Sequence, residues 1–160
     1  MKKKVLAAVL MASMVMGTLP IAAAADESKD PSEYKIGLVT DVGGVNDGSF
    51  NQSSWEGLQR AGEDLGVEIN YLESATDSDY VPNLESFVDE EYDLIISVGY
   101  MLADATKQMA EENPDTRFAI IDDATIDLDN VTCLMFENEQ GSYLVGYIAG
   151  LMTKTNNIGF

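Results

Sequence analysis

The hydrophobic and polar positions along the chain change period several times, and each change marks a predicted element. Short runs of apolar and β-branched residues predict strands, whereas apolar residues at helical spacing predict helices. The predicted strands cover residues 34–40, 67–72, 94–98, 117–121 and 131–136. The predicted helices cover residues 50–65, 80–90, 102–112 and 140–152, with Gly66 ending the first of them.

Strands that alternate with helices in this way predict a parallel sheet with helices on both faces, because parallel neighbours are joined by crossover helices. The predicted fold class is therefore α/β. In such a sheet, ligands bind in the crevice beyond the carboxyl ends of the strands. The segments that directly follow the predicted strands are residues 41–50, 73–79, 99–100 and 122–123 together with Glu137.

The composition excludes several classes of function. The chain has 160 residues, with 28 acidic and 9 basic side chains, a formal net charge of −19 and no histidine. This charge repels phosphate groups, so we expect no nucleic-acid partner. Without histidine and with one cysteine, most metal sites, intrachain disulfides and Ser–His or Cys–His nucleophile pairs are excluded. We therefore expect no catalytic residues, no metal and no enzymatic activity.

Residues 1–25 have the pattern of a secretory signal peptide: N-terminal lysines, an apolar stretch, Pro20 and a run of alanines up to Ala25. The alternative is a retained membrane anchor, because residues 5–25 are nearly long enough to span a bilayer. No cysteine stands at the predicted cleavage site, so we expect no lipid attachment there. The sequence predicts an exported protein of the periplasm or cell surface, with residues 26–33 as a flexible tether.

The loop after the first predicted strand carries the densest pattern, D-V-G-G-V-N-D-G-S-F-N at residues 41–51. Its glycines do not match G-x-G-x-x-G, no Gly-Lys-Ser/Thr follows, and Asp41 and Asp47 would repel a phosphate. A neutral polar ligand fits better, because carboxylates accept hydrogen bonds and Phe50 offers a stacking face. The alternative is a flexible turn in which Ser49 is an N-cap and Phe50 belongs to the core.

Two other segments follow predicted strands and contain candidate binding residues. Asp122 and Asp123 follow the fourth strand, where a carboxylate points toward the crevice, although a solvated acidic turn has the same pattern. Gly99 and Tyr100 follow the third strand, and a glycine there permits a close approach between backbone and ligand. The alternative for this pair is a simple turn between strand and helix.

Four segments, in order, resemble those of a known family. They are K-I-G-L-V-T-D-V-G-G-V-N-D-G-S-F-N-Q-S-S-W-E-G-L at 35–58, D-L-I-I-S-V-G-Y at 93–100, P-D-T-R-F-A-I-I-D at 114–122 and F-E-N-E-Q-G-S-Y-L-V-G-Y-I-A-G at 136–150. The chain is similar to the basic membrane protein (BMP) family of substrate-binding proteins of ABC importers. The purine nucleoside receptor is a member of that family.

This resemblance implies a type I periplasmic-binding-protein-like fold, in which two α/β lobes close over a ligand. It implies that Phe50 stacks on a purine base and that Asp41 and Asp122 contact the base edge. A purine has two π-faces for stacking and N–H donors that match ionised carboxylates. The candidate ligand-binding residues are Asp41, Phe50, Asn51 and Asp122, with Asp47, Gly99 and Tyr100 as further candidates.

The expected function is extracytoplasmic capture of a purine nucleoside and its delivery to ABC permease and ATPase subunits, by a monomer without a cofactor. Residues 34–155 would form the first lobe with its crossover helix, and residues 156–160 would begin a second lobe. One alternative is a sensory or regulatory receptor of the same fold for a sugar or signal molecule. Another is a flavodoxin-like or nucleotide-dependent enzyme. The absence of a phosphate loop and of histidine argues against this alternative.

Overall fold

Five parallel strands form a single sheet in the computed structural model, which describes residues 29–159. The sheet order is β2–β1–β3–β4–β5, and every neighbouring pair is parallel. The strands are β1 (Lys35–Val39), β2 (Glu68–Leu72), β3 (Leu94–Val98), β4 (Arg117–Ile121) and β5 (Val131–Leu134). The predicted parallel α/β fold is therefore confirmed.

Four α-helices accompany the sheet, at the places that the apolar periodicity predicts. They are α1 (Phe50–Leu65), α2 (Tyr80–Asp89), α3 (Ala103–Glu112) and α4 (Asn138–Met152). Gly66 ends α1 in the left-handed conformation, with a φ of 76°, as its position predicts. The prediction was wrong by two residues at the last junction, because β5 ends at Leu134 and α4 already begins at Asn138.

The helices cover the two faces of the sheet unequally. On one face, α2 and α3 bury a large cluster that includes Leu84, Phe87 and Phe118. On the other face, α1 packs through Leu58 onto a smaller cluster. Because hydrophobic side chains are buried on both faces of β1 and β3, these strands are fixed at the centre of the sheet, and so are the loops that follow them.

Helix α4 differs from the other helices because none of its residues is buried. Its apolar side chains are largely in solvent, with Tyr143 70% and Leu151 71% exposed. An apolar side of this size is available to pack against another part of a protein. Within residues 29–159, no helix is both long enough and apolar enough to cross a membrane.

The predicted signal peptide lies outside the described residues, as does the predicted tether up to residue 28. The rest of that tether is attached to the fold. Lys29 forms an ion pair with Asp93 at 2.5 Å. Asp30 accepts the backbone N–H of Ser32 and so caps a single 3₁₀ turn, Pro31–Glu33. This turn leads directly into β1.

Gly37 of β1 lies directly against the ring of Phe87 on α2. A Cβ atom on this residue would lie 2.7 Å from Cγ of Phe87, whose ring is fully buried. A side chain at this position would have to displace the ring from the centre of the larger core.

We expect Gly37→Ala to lower the free energy of unfolding by about 1–3 kcal/mol, the usual cost of overpacking a core. Gly57→Ala is the matched control, because a Cβ at this helical glycine meets nothing within 4 Å. That variant should gain about 0.8 kcal/mol from helix propensity. Urea denaturation measures both changes, and wild-type stability in Gly37→Ala would show that the Phe87 ring can move without cost.

Candidate functional site

The parallel register brings three of the predicted segments to one edge of the sheet. Asp41, Gly99 and Asp122 follow β1, β3 and β4, which are neighbours in the sheet order. Gly99 has a φ of 94°, a conformation that other residues rarely adopt, and a Cβ there would lie 3.8 Å from Oδ2 of Asp41. The Asp41 carboxylate therefore faces the backbone of Gly99 across the ends of β1 and β3.

The half-buried carboxylate of Asp41 is held through one of its two oxygens. Its Oδ1 accepts the backbone N–H of Gly43 at 2.8 Å and the side-chain amide of Asn51 at 2.6 Å. Among residues 29–159, no group donates a hydrogen bond to Oδ2. One oxygen of Asp41 thus fixes the orientation of the side chain, while the other is available as an acceptor.

Asn51 is a buried polar residue, only 1% exposed. Because a carboxylate cannot donate a hydrogen bond, the Nδ2 amide of Asn51 must face Asp41. The carbonyl Oδ1 is then buried without a hydrogen-bond partner among the described residues. An unpaired buried group of this kind costs about 1–3 kcal/mol, so the fold keeps this asparagine at a cost in stability.

The other acidic side chains of this region organise the loop. Asp47 accepts the backbone N–H groups of Ser49 at 2.8 Å, Asn51 at 3.1 Å and Gln52 at 3.0 Å. Ser49 does occupy the N-cap position of α1, but its side chain makes no capping hydrogen bond, and Asp47 accepts the N–H groups of the first turn instead. Glu73, just after β2, accepts the N–H of Val45 at 2.8 Å.

These contacts occupy the N–H groups that a phosphate-binding loop aims at its anion. The carboxylates also give the loop a negative charge. The geometry therefore agrees with the expectation of a neutral ligand.

Asp47 is ionised more readily than an ordinary aspartate. Desolvation by burial acts to raise the pKa of its carboxyl group, but hydrogen bonds from the N–H groups of Gln52, Ser49 and Asn51 outweigh this effect and lower the pKa. The charged form of Asp47 is therefore the one that stabilises the beginning of α1.

Phe50 is the first residue of α1 and is 45% exposed. The suggestion that it belongs to the core was therefore wrong. It borders an open pocket of about 540 Å³, whose lining is Ser49, Phe50, Ser53, Ser54, Gly57, Ile121, Phe136 and Asn138. Neither Asp41 nor Asp122 lines this pocket, but its lining includes Ile121, which precedes Asp122, and Asn138, which donates a hydrogen bond to Asp122.

The structure separates the roles of Asp122 and Asp123. Asp123 is buried and accepts two hydrogen bonds from Thr125, both at 2.7 Å, so it shapes its own turn. Asp122 is half-buried, adopts a left-handed φ of 63° and accepts a hydrogen bond from Asn138 at 3.4 Å. Such a conformation costs a non-glycine residue about 1–3 kcal/mol and is common at ligand sites, which makes Asp122 the better candidate.

Sequence reasoning missed three residues around this edge. Glu73 directly follows β2, so the search beyond strand ends included its position without singling it out. Asn138 is the first residue of α4 and donates a hydrogen bond to Asp122 at 3.4 Å. The periodicity placed the start of this helix at residue 140, so Asn138 was not among the candidates. Tyr80 is 4% exposed, and its hydroxyl has no partner among the described residues. Burial raises the pKa of Tyr80 to about 12, and the charges of Asp77 and Asp41 act in the same direction.

The chemistry available at this edge is recognition through hydrogen bonds and stacking. Asp41 and Asp122 accept hydrogen bonds, Phe50 has an aromatic ring that is partly exposed, and Tyr100 is 67% exposed beside Gly99. In the part of the chain that the structure describes, no cluster of three or more candidate metal ligands occurs.

Comparison with known families identifies a match over residues 35–160 to ABC transporter substrate-binding proteins described as PnrA-like. The chain belongs to this Bmp family. Its relatives include a CD4+ T-cell-stimulating antigen of Listeria innocua, 47% identical over 84% of this chain. They also include the ABC transporter nucleoside-binding protein BmpA of Lactococcus lactis, 40% identical over the whole chain.

Solved structures confirm a periplasmic-binding-protein-like fold. An ABC transporter solute-binding protein of Aeropyrum pernix matches 73% of this chain with a TM-score of 0.68 and 32% identity. This Bmp chain covers 39% of the Listeria protein, 48% of the Lactococcus protein and 32% of the Aeropyrum chain. It thus spans half or less of the length of these relatives.

We expect Asp47→Ala to lower the free energy of unfolding by about 1 kcal/mol at neutral pH, the usual loss when a helix cap is removed. The folded-state pKa of Asp47 lies below its unfolded value. Its stabilisation is therefore complete above the unfolded value of about 3.9 and is lost as the pH falls through the folded value.

Urea denaturation at pH 7 and at lower pH measures this effect as the difference between wild type and variant. Asp127→Ala is the control, because Asp127 is exposed and accepts no hydrogen bond among the described residues. If the difference in the free energy of unfolding between wild type and Asp47→Ala did not decrease at low pH, the charged form of Asp47 would not be the cap.

Proposed function

We propose that this Bmp-family chain recognises a purine nucleoside outside the cytoplasm and delivers it to ABC permease and ATPase subunits. Recognition involves no covalent chemistry. Asp41 and Asp122 accept hydrogen bonds from the base, and Phe50 stacks on its face. The observation that carries the proposal is the carboxylate of Asp41, fixed through Oδ1, with Oδ2 open beside Gly99.

The chemistry of the edge favours a nucleoside over a charged nucleotide. Ionised carboxylates are acceptors only, so they match the N–H groups of a purine edge. The backbone N–H groups of the loop are taken by Asp41, Asp47 and Glu73, which leaves few donors for a phosphate. The Lactococcus relative, which its name describes as nucleoside-binding, aligns with the whole chain.

The exposed apolar side of α4 supports a two-lobed arrangement in this proposal. Helix α4 acts as the crossover from the lobe of residues 34–155, and its side chains pack against a second lobe that begins at residues 156–160. Burial of Tyr143 and Leu151, now about 70% exposed, would then contribute to the interface between the lobes. The ligand would bind between the lobes, at the edge that carries Asp41.

We expect guanosine, inosine or adenosine to raise the melting temperature of the full-length protein, because a ligand that binds only the folded state stabilises it. Ribose and glucose at the same concentrations are the controls and should have no effect. Differential scanning fluorimetry measures the shift, and isothermal titration calorimetry gives the affinity. If a sugar but no nucleoside raised the melting temperature, the proposal would fail and a sugar receptor would take its place.

We expect Phe50→Ala to weaken nucleoside binding by about 1–3 kcal/mol, the scale of a base stacked on an aromatic side chain. Phe50→Tyr keeps the ring and should bind with nearly wild-type affinity. Calorimetric titration of both variants compares them directly. Equal affinity of Phe50→Ala and wild type would show that this exposed ring does not touch the ligand.

A further inference from the structure

Asn51 combines deep burial, an unpaired carbonyl and a short hydrogen bond to a candidate ligand-binding residue. We propose that Asn51 is a positioning residue: it orients the carboxylate of Asp41 toward the ligand and does not itself contact the ligand. This proposal rests on the proposed function for its binding measurements, but its geometric part can be tested without any ligand.

The burial of Asn51 argues against direct contact with a ligand. Its side chain is 1% exposed, and its Oδ1 is among the buried side-chain atoms. Phe50, the preceding residue, is 45% exposed, because consecutive residues of a helix point to different sides. Helix α1 therefore presents Phe50 outward and turns Asn51 inward beneath the loop.

The hydrogen bonds show how Asn51 acts through Asp41. The amide of Asn51 and the N–H of Gly43 both donate to Oδ1, at 2.6 Å and 2.8 Å. With Oδ1 engaged twice, the carboxylate cannot rotate without losing both bonds. Its Oδ2 is thereby kept beside Gly99. A Cβ atom added to this glycine would lie 3.8 Å from Oδ2 of Asp41.

Asn51 also connects the orientation of Asp41 to a rigid element. Its backbone N–H donates to Asp47, which caps α1, so its position is set by the helix. Gly43 contributes by its small size, because a Cβ there would lie 3.0 Å from both Nδ2 of Asn51 and Oδ1 of Asp41. A carboxylate in an otherwise irregular loop is thus aligned by a helix, as a preorganised binding site requires.

The test uses Asn51→Leu in the full-length protein, because leucine has a similar shape but neither the donor nor the unpaired carbonyl. We expect guanosine affinity to fall by about tenfold or more, the scale of a hydrogen bond to a charged group, while the melting temperature is not lowered. Asn113→Leu is the matched control. Asn113 donates to a backbone carbonyl of Met109 near the opposite edge of the sheet, and its loss should leave guanosine affinity unchanged.

A second comparison separates positioning from direct contact. In an Asp41→Ala background, Asn51→Leu should reduce guanosine affinity by less than about twofold further, because its effect passes through Asp41. The same fold-loss in both backgrounds would overturn the proposal, since it would show that Asn51 acts on the ligand independently. Should Asn51→Leu fail to fold, Asn51→Ala takes its place in both comparisons.

Hydrogen exchange at the Gly43 amide tests the geometry without a ligand, since this N–H donates to Asp41. We expect faster exchange of Gly43 in Asn51→Leu and an unchanged rate in Asn113→Leu. Failure of every nucleoside to bind the wild-type protein would remove the proposed function, and this measurement would still decide the role of Asn51. An unchanged exchange rate at Gly43 in Asn51→Leu would overturn the positioning role.

Discussion

Parallel pairing of β1 with β3 and of β3 with β4 is the constraint on which the site depends. In a parallel sheet all carboxyl ends lie at one edge, so residues from distant parts of the sequence meet there. Asp41, Gly99 and Asp122 are brought together in this way. The cores on both faces hold the three strands in register, and the unusual backbone angles at Gly99 and Asp122 are accommodated at their ends.

The acidic side chains near this edge have different roles in spite of their similar chemistry. Asp47, Glu73 and Asp123 accept hydrogen bonds from neighbouring N–H or hydroxyl groups and thereby build the loops. Asp41 is bound through one oxygen and keeps the other available. A high negative charge is therefore used here in two ways, to organise irregular backbone and to present a small number of acceptors.

The periodicity of apolar residues predicted the strands and most helix bounds well, because packing on two faces leaves a strong pattern in the sequence. The end of β5 and the start of α4 were less predictable, and no residue of α4 is buried. For the site, topology correctly placed Asp41, Gly99 and Asp122 at one edge. It did not distinguish Asp122 from Asp123, and it did not reveal that the first turn of α1 is capped by the side chain of Asp47 and not by that of Ser49, the N-cap residue.

The order of residues along the chain was enough to predict the parallel α/β class, the strand ends where a ligand would bind and the family to which the chain belongs. These follow from local periodicity, from the order of elements and from motifs that are contiguous in the chain. The folded structure was needed to show which oxygen of Asp41 is free, that Asn51 is buried against Asp41 and that Phe50 is exposed. Hydrogen-bond partners and burial depend on distances between segments, and no local pattern of residues encodes those distances.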